Sequence, residues 1–192
     1  MAKSPKKKKL RPLPKIRKAC LRLWSESVRK NKGYKCILCG VERGTLYVNN
    51  KGKELKQKID AHHVVAKEIH NAFLKFHITN GVSVCPLCHK FGNNSFHRNP
   101  VYTINWVQVN EPDKWEYLLK HHEERIDLDN RKVMEYIEDA LKNDLPLVLG
   151  DIRAIELEFP RRVVAPCAGN VLDVFGDSEE SSSSSDDLDL LF

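Results

Sequence analysis

The sequence predicts a small α+β protein pinned by zinc, on three observations. Four of its six cysteines fall as two Cys-x-x-Cys pairs, Cys36/Cys39 and Cys85/Cys88, a spacing that supplies four thiolates to one tetrahedral ion. Short runs that suit strands lie between the pairs, and segments with apolar stripes at helical spacing follow them. A chain of 192 residues with 41% hydrophobic residues holds one modest domain with appendages.

Residues 1 to 18, MAKSPKKKKLRPLPKIRK, offer almost nothing to bury and contain three prolines, so a disordered basic arm is expected. From 19 to 32, Leu21, Trp24 and Val28 recur at helical spacing among basic residues, with Gly33 as the C-cap. The first cysteine pair follows, and then residues 44 to 60 read as a hairpin arm with a polar tip over 49 to 52. Ile69, Phe73 and Phe76 place a helix between His62-His63 and Asn80. GVSV then makes a strand that delivers the second pair, and CHKFGNNSFH continues as helix or loop.

Asn99 and Pro100 suit an N-cap and first helical position for the next segment, although its partial alternation also suits a strand. Residues 113 to 126 and 129 to 143 are clearer helices, with stripes Trp115/Leu118/Leu119/Ile126 and Val133/Met134/Ile137/Leu141. Alternation over 153 to 159 predicts a strand closed by Pro160. Four segments result: the arm (1 to 18), a zinc-knuckle module (19 to 110), a helical extension (111 to 160) and a flexible acidic tail (161 to 192).

The formal charge of +6 is unevenly spread. Residues 172 to 192 hold seven acidic and no basic residues, which leaves 32 basic against 19 acidic, or +13, on residues 1 to 171. A body that basic favours a nucleic acid, because phosphate contacts release condensed counterions. There is no apolar run long enough for a bilayer and no hydrophobic segment after the N-terminal lysines, so a soluble, cytoplasmic, non-secreted protein without a membrane partner is expected. Zinc then accounts for the paired cysteines better than disulfides do, while Cys20 and Cys167 read as isolated thiols.

Chemistry concentrates between and just after the cysteine pairs. In DAHHVV the neighbours His62 and His63 point to opposite sides of an extended strand and so can take different roles. His89 directly follows the second pair, and Asn93 lies four residues on. His70, His77, His121 and His122 read as surface or packing residues.

The pattern Cys36-x-x-Cys39, His62-His63, Asn80, Cys85-x-x-Cys88-His89 resembles the HNH endonucleases, in particular small zinc-knuckle members from phages and mobile elements. The resemblance covers residues 34 to about 97. It implies a ββα-metal core, in which two strands and a helix clasp one catalytic divalent ion, magnesium, manganese or another, that serves DNA hydrolysis. It further implies His63 as general base, Asn80 as the residue that orients its imidazole, and His62, His89 and Asn93 as ligands, with His97 the rival of Asn93. Cys36, Cys39, Cys85 and Cys88 would hold the structural zinc. Asp60 would support a histidine from behind. A phage-encoded protein of this kind would work in the bacterial cytoplasm.

The chain ends DDLDLLF after a five-serine run. Leu188, Leu190, Leu191 and Phe192 would be costly to expose without a receiving pocket. The peptide resembles the C-terminal segments that dock replication and phage transcription proteins on a sliding clamp and, less closely, the acidic tip of single-stranded DNA-binding proteins. Docking would raise the local concentration of the chain on replicating DNA. The alternatives are a non-catalytic zinc module that binds nucleic acid, with the histidines as a second structural site, and a nuclease directed at RNA.

Overall fold

Helix α1 (Leu13–Asn31) is the beam on which the protein is built. In the computed structural model, which describes residues 10 to 49, 51 to 65 and 72 to 160, it starts six residues earlier than its apolar spacing suggests. The prolines are the reason: Pro12 stands at the N-cap and Pro14 in the first turn, where a missing N–H breaks no helical bond. Ile16, Cys20, Trp24 and Val28 are buried along one face. The expected disordered arm is therefore helical from Leu13; residues 1 to 9, residue 50, residues 66 to 71 and the tail from 161, with Cys167 and the terminal apolar peptide, lie outside the described residues.

The chain divides after Arg161 into two units, and every described residue belongs to the first. That unit is mixed helix and small sheet. β1 (Leu46–Val48) and β2 (Glu54–Lys56) form one antiparallel ribbon. β3 (Asp60–His63) and β4 (Gly81–Val84) form the other, with His62 opposite Val82 and His63 opposite Gly81. Helices α2 (Pro100–Asn110), α3 (Pro112–His121), α4 (Arg131–Lys142) and α5 (Leu149–Glu158) follow. No described helix is long and apolar enough to cross a membrane.

Two cores result. The larger packs α1 against α4, α5 and residues 72 to 76, burying Trp24, Phe73, Leu74, Phe76, Met134, Ile137 and Ile152. Removal of one of its large side chains would cost about 2–5 kcal/mol. Charges brace the same interface: Arg11 pairs with the buried Glu138 and holds its carboxyl below the usual range, and Arg17 pairs with Asp129. The smaller core gathers Cys36, Ile59, Val82, Val84, Cys85 and Phe96 behind β3 and β4.

Three expected elements differ. Residues 72 to 80 form two 3-10 turns, Phe73–Phe76 and Ile78–Asn80, in place of one helix, and the extended His77 between them lets Phe73, Leu74 and Phe76 all reach the core. The expected strand over 153 to 159 is part of α5, because Leu149, Ile152 and Ile155 meet the core every third residue and Leu157 is left outside. Residues 113 to 126 stop being helix at His121, after which Ile126 packs from irregular chain. For α2 the capping signal prevails over the alternation, and the Asn99 side chain accepts a 3.0 Å bond from the Tyr102 N–H.

Candidate functional site

The four thiols converge where β4 ends. The Sγ atoms of Cys36, Cys39, Cys85 and Cys88 all lie within 4.8 Å of one another. Zn–S bonds of about 2.3 Å at tetrahedral angles put sulfurs about 3.8 Å apart. Cys39 and Cys85 stand at 3.8 Å. Burial pushes the Cys85 and Cys88 thiols up, so a divalent ion is what would hold them as thiolates. The cluster is compatible with a structural zinc that joins the Cys36 loop to the end of β4.

Beside it, β3 presents its two histidines to different neighbours. The His62 ring meets His89 at 5.1 Å and His97 at 5.0 Å between centroids, and tilts against Phe96 at 5.3 Å. One ring nitrogen from each of His62, His89 and His97 falls within a common 4.8 Å. The Nε2 atoms of His89 and His97 are 3.1 Å apart, close to the spacing of two ligands at about 90° on an ion about 2.1 Å from each.

Asp60, on the same strand as His62, supports this triad. Its Oδ2 accepts from Nδ1–H of the buried His89 at 3.0 Å, which fixes the tautomer that leaves the lone pair on Nε2, the nitrogen that faces His97. Burial, only partly offset by Asp60, holds His89 below the usual histidine range, so it is neutral near pH 7, the form a cation binds. A single π-type turn, Leu87–Phe91, carries His89, and the Gly92 N–H closes it on the Leu87 carbonyl.

His63 packs the other way. Its ring stacks on Trp24 of α1 with centroids 3.6 Å apart and 12° between planes. Nε2–H donates to the Lys75 carbonyl at 3.0 Å, and because a carbonyl only accepts, the neutral ring holds its lone pair on Nδ1. His62, His63, His89 and His97 line one cleft of about 430 Å³, with Lys90, Phe96 and Thr103 among its other walls.

Compared with family models, curated proteins and solved structures, the chain has no match. Its function is therefore read from the site itself.

Two expected positions sit differently from the pattern. Asn80 is buried, and its side chain bonds backbone: Oδ1 accepts from Val65 N–H at 2.7 Å, and Nδ2 donates to the Val65 and Leu74 carbonyls at 3.0 and 3.1 Å. Its own carbonyl accepts from Val64 N–H. Asn80 thus shapes the loop whose Lys75 carbonyl meets His63, while the ring contacts described for His63 are with Lys75 and Trp24. Asn93 is exposed and does not line the cleft, whereas its rival His97 does. Sequence reasoning missed Lys75 because a backbone acceptor leaves no mark in residue type. Trp24 is visible as a core residue, but its partner across the fold is not.

Proposed function

We propose that the chain is a metal-dependent HNH endonuclease that hydrolyses phosphodiester bonds in DNA. The observation that carries this reading is the shared cleft of His63 and the His62/His89/His97 cluster, formed by two antiparallel strands and the helical turn after them.

His63 acts as general base. With its proton on Nε2 and the Lys75 carbonyl behind it, Nδ1 takes a proton from water as the water oxygen bonds to phosphorus and the bond from phosphorus to the leaving oxygen breaks. The Trp24 face restrains the ring and so keeps Nδ1 at one angle through the step. His62, His89 and His97 are the residues that would hold the divalent ion, with Asp60 orienting His89. When bound, such an ion supplies positive charge to the scissile phosphate and leaving oxygen. Lys90, on the cleft wall beside His89, adds a cation toward the same phosphate. The four-cysteine zinc takes no part in chemistry, since a closed site has no open position. The basic body, +13 over residues 1 to 171, supports a nucleic-acid substrate.

The deciding experiment is cleavage of supercoiled plasmid with magnesium or manganese, with EDTA, and with His63→Gln, whose fold is checked by near-UV circular dichroism. Metal-dependent cutting that falls about 10²–10⁴-fold in the folded variant is the expected result. A wild-type chain that binds DNA but leaves it intact with every metal would instead be a zinc-dependent binding module.

A further inference from the structure

The β1–β2 ribbon has no structural task in either core. No residue of its two strands is buried; Leu46, Tyr47 and Val48 are 57%, 43% and 68% exposed. A two-stranded ribbon alone is marginal in water, and exposed apolar side chains on it are unfavourable unless something covers them. Around them the segment from 43 to 58 carries Arg43, Lys51, Lys53, Lys56 and Lys58 against a single carboxylate, Glu54. All four lysines are exposed, and among the described residues none of them is in an ion pair.

We propose that this ribbon enters the major groove of duplex DNA beside the cleft, an inference that rests on the nuclease reading for its substrate but not for its test. The fit is one of shape and charge. The major groove, about 12 Å wide, admits a two-stranded ribbon, whose two faces then meet its two walls. The register suits that use, because each face mixes kinds: Leu46 lies opposite Lys56 and Val48 opposite Glu54, while Tyr47 and Leu55 share the other face with Asn49 and Lys53, which pair next through Asn49 N–H and the Lys53 carbonyl. A lipid surface or a flat protein partner would call for one apolar face with the charges on the other. Thymine methyl groups and base edges take Leu46, Val48 and Tyr47, and the lysines take the flanking phosphates.

The ribbon is also held at a set offset from the histidines. Its base closes through Gly44 N–H to the Gln57 carbonyl and Gln57 N–H to the Thr45 carbonyl, each within 2.9 Å. Lys35 bridges Glu42 just before Cys36, and the buried Ile59 fastens the other end before β3 begins at Asp60. Six residue steps lead from Lys56 to His62. At about 3.3 Å per residue they span about 20 Å at most, within the roughly 34 Å of one duplex turn. Groove contact and cutting would therefore be registered to each other.

The test uses the full chain in EDTA, so that binding is read without cutting, by fluorescence anisotropy on duplex DNA over a range of salt. With Lys51, Lys53, Lys56 and Lys58 all changed to Gln, the slope of log K against log salt should become shallower by three to four, at about 0.9 per lost phosphate contact. A second variant, Leu46→Thr with Val48→Thr, keeps strand propensity and should weaken duplex binding at an unchanged slope. Retained zinc and an unchanged thermal transition show that each variant is folded. A wild-type slope in the lysine variant overturns the proposal. So does an equal loss on duplex RNA, whose deep, narrow major groove excludes a ribbon, or a loss confined to anionic vesicles. A wild-type chain that binds through the ribbon yet never cuts plasmid would sink the nuclease reading alone.

Discussion

Asp60 Oδ2 and His89 Nδ1 stand 3.0 Å apart, and that contact decides which nitrogen of His89 faces His62 and His97. Asp60→Asn keeps an acceptor but loses the charge that strengthens the ring as a donor to a cation. Manganese affinity, followed by titration calorimetry, is expected to fall about 10- to 100-fold. Unchanged affinity would mean that His89 is not a ligand.

The four thiols make a different prediction about metal. Cys36 and Cys85 belong to the smaller core together with Ile59, Val82, Val84 and Phe96, beside the strand that carries His62 and His63. Chelation of zinc, or Cys85→Ser, should loosen that core and abolish cutting, while the helical core around Trp24 keeps its far-UV signal. Zinc content measured during acid titration should fall with pH, because protons compete for the thiolates. An apo chain with native near-UV spectrum and activity would remove zinc from the account.

How much of this was legible in residues alone varies with the range of the interaction. The cysteine pairs and the His62-His63 pair are local patterns whose chemistry follows from residue type and spacing, and the apolar face of α1 around Trp24 and Val28 follows from its period. Helix α5 was not legible as a helix, because its alternation runs through an exposed Leu157 and its true contacts begin at Leu149. The two 3-10 turns are likewise set by what Phe73, Leu74 and Phe76 bury, and no window of sequence contains α1 or α4. At the site, residue types named the histidines, whereas Lys75 contributes a carbonyl that any residue would have.

Gly81 couples the core to the cleft. A Cβ there would stand 2.2 Å from Val28 Cγ2, and a β-branched neighbour 2% exposed has little freedom to turn away. Gly81→Ala is expected to destabilise the fold by about 1–3 kcal/mol in urea denaturation. Val28→Ala added to it should recover part of that loss, giving a coupling of about 0.5–3 kcal/mol. Because Gly81 is opposite His63, cutting by the single variant should fall as well. Strict additivity would show that the two residues are not in contact.

His77 sets an acid limit. Burial, with the nearby His121, pushes it down to about 4, and its Nδ1 already accepts from the Thr79 N–H, so a proton there would face another donor. Its folded value lies below its unfolded value of about 6.5, so between those limits the unfolded chain binds more protons and stability falls as pH falls. The loss comes to about 3 kcal/mol from pH 6.5 to 4, absent above that window. His77→Asn, which keeps an acceptor but not the titration, should flatten the curve of unfolding free energy against pH; a curve of wild-type slope would assign the acid limit elsewhere.

His97 and Asn93 compete for one role, and the fold separates them by what each can reach. The turn that closes at Gly92 leaves Asn93 at the surface, and the chain returns so that His97 N–H donates to the His89 carbonyl at 3.1 Å, bringing its ring to the triad. His97→Ala should therefore weaken manganese binding and abolish plasmid cutting at limiting metal, with partial recovery at high metal because His62 and His89 remain. Asn93→Ala should change neither by more than about twofold, as expected for an exposed polar substitution. If Asn93→Ala instead removes cutting while His97→Ala binds metal normally, the cleft rearranges when it loads, and the ligand set is His62, His89 and Asn93.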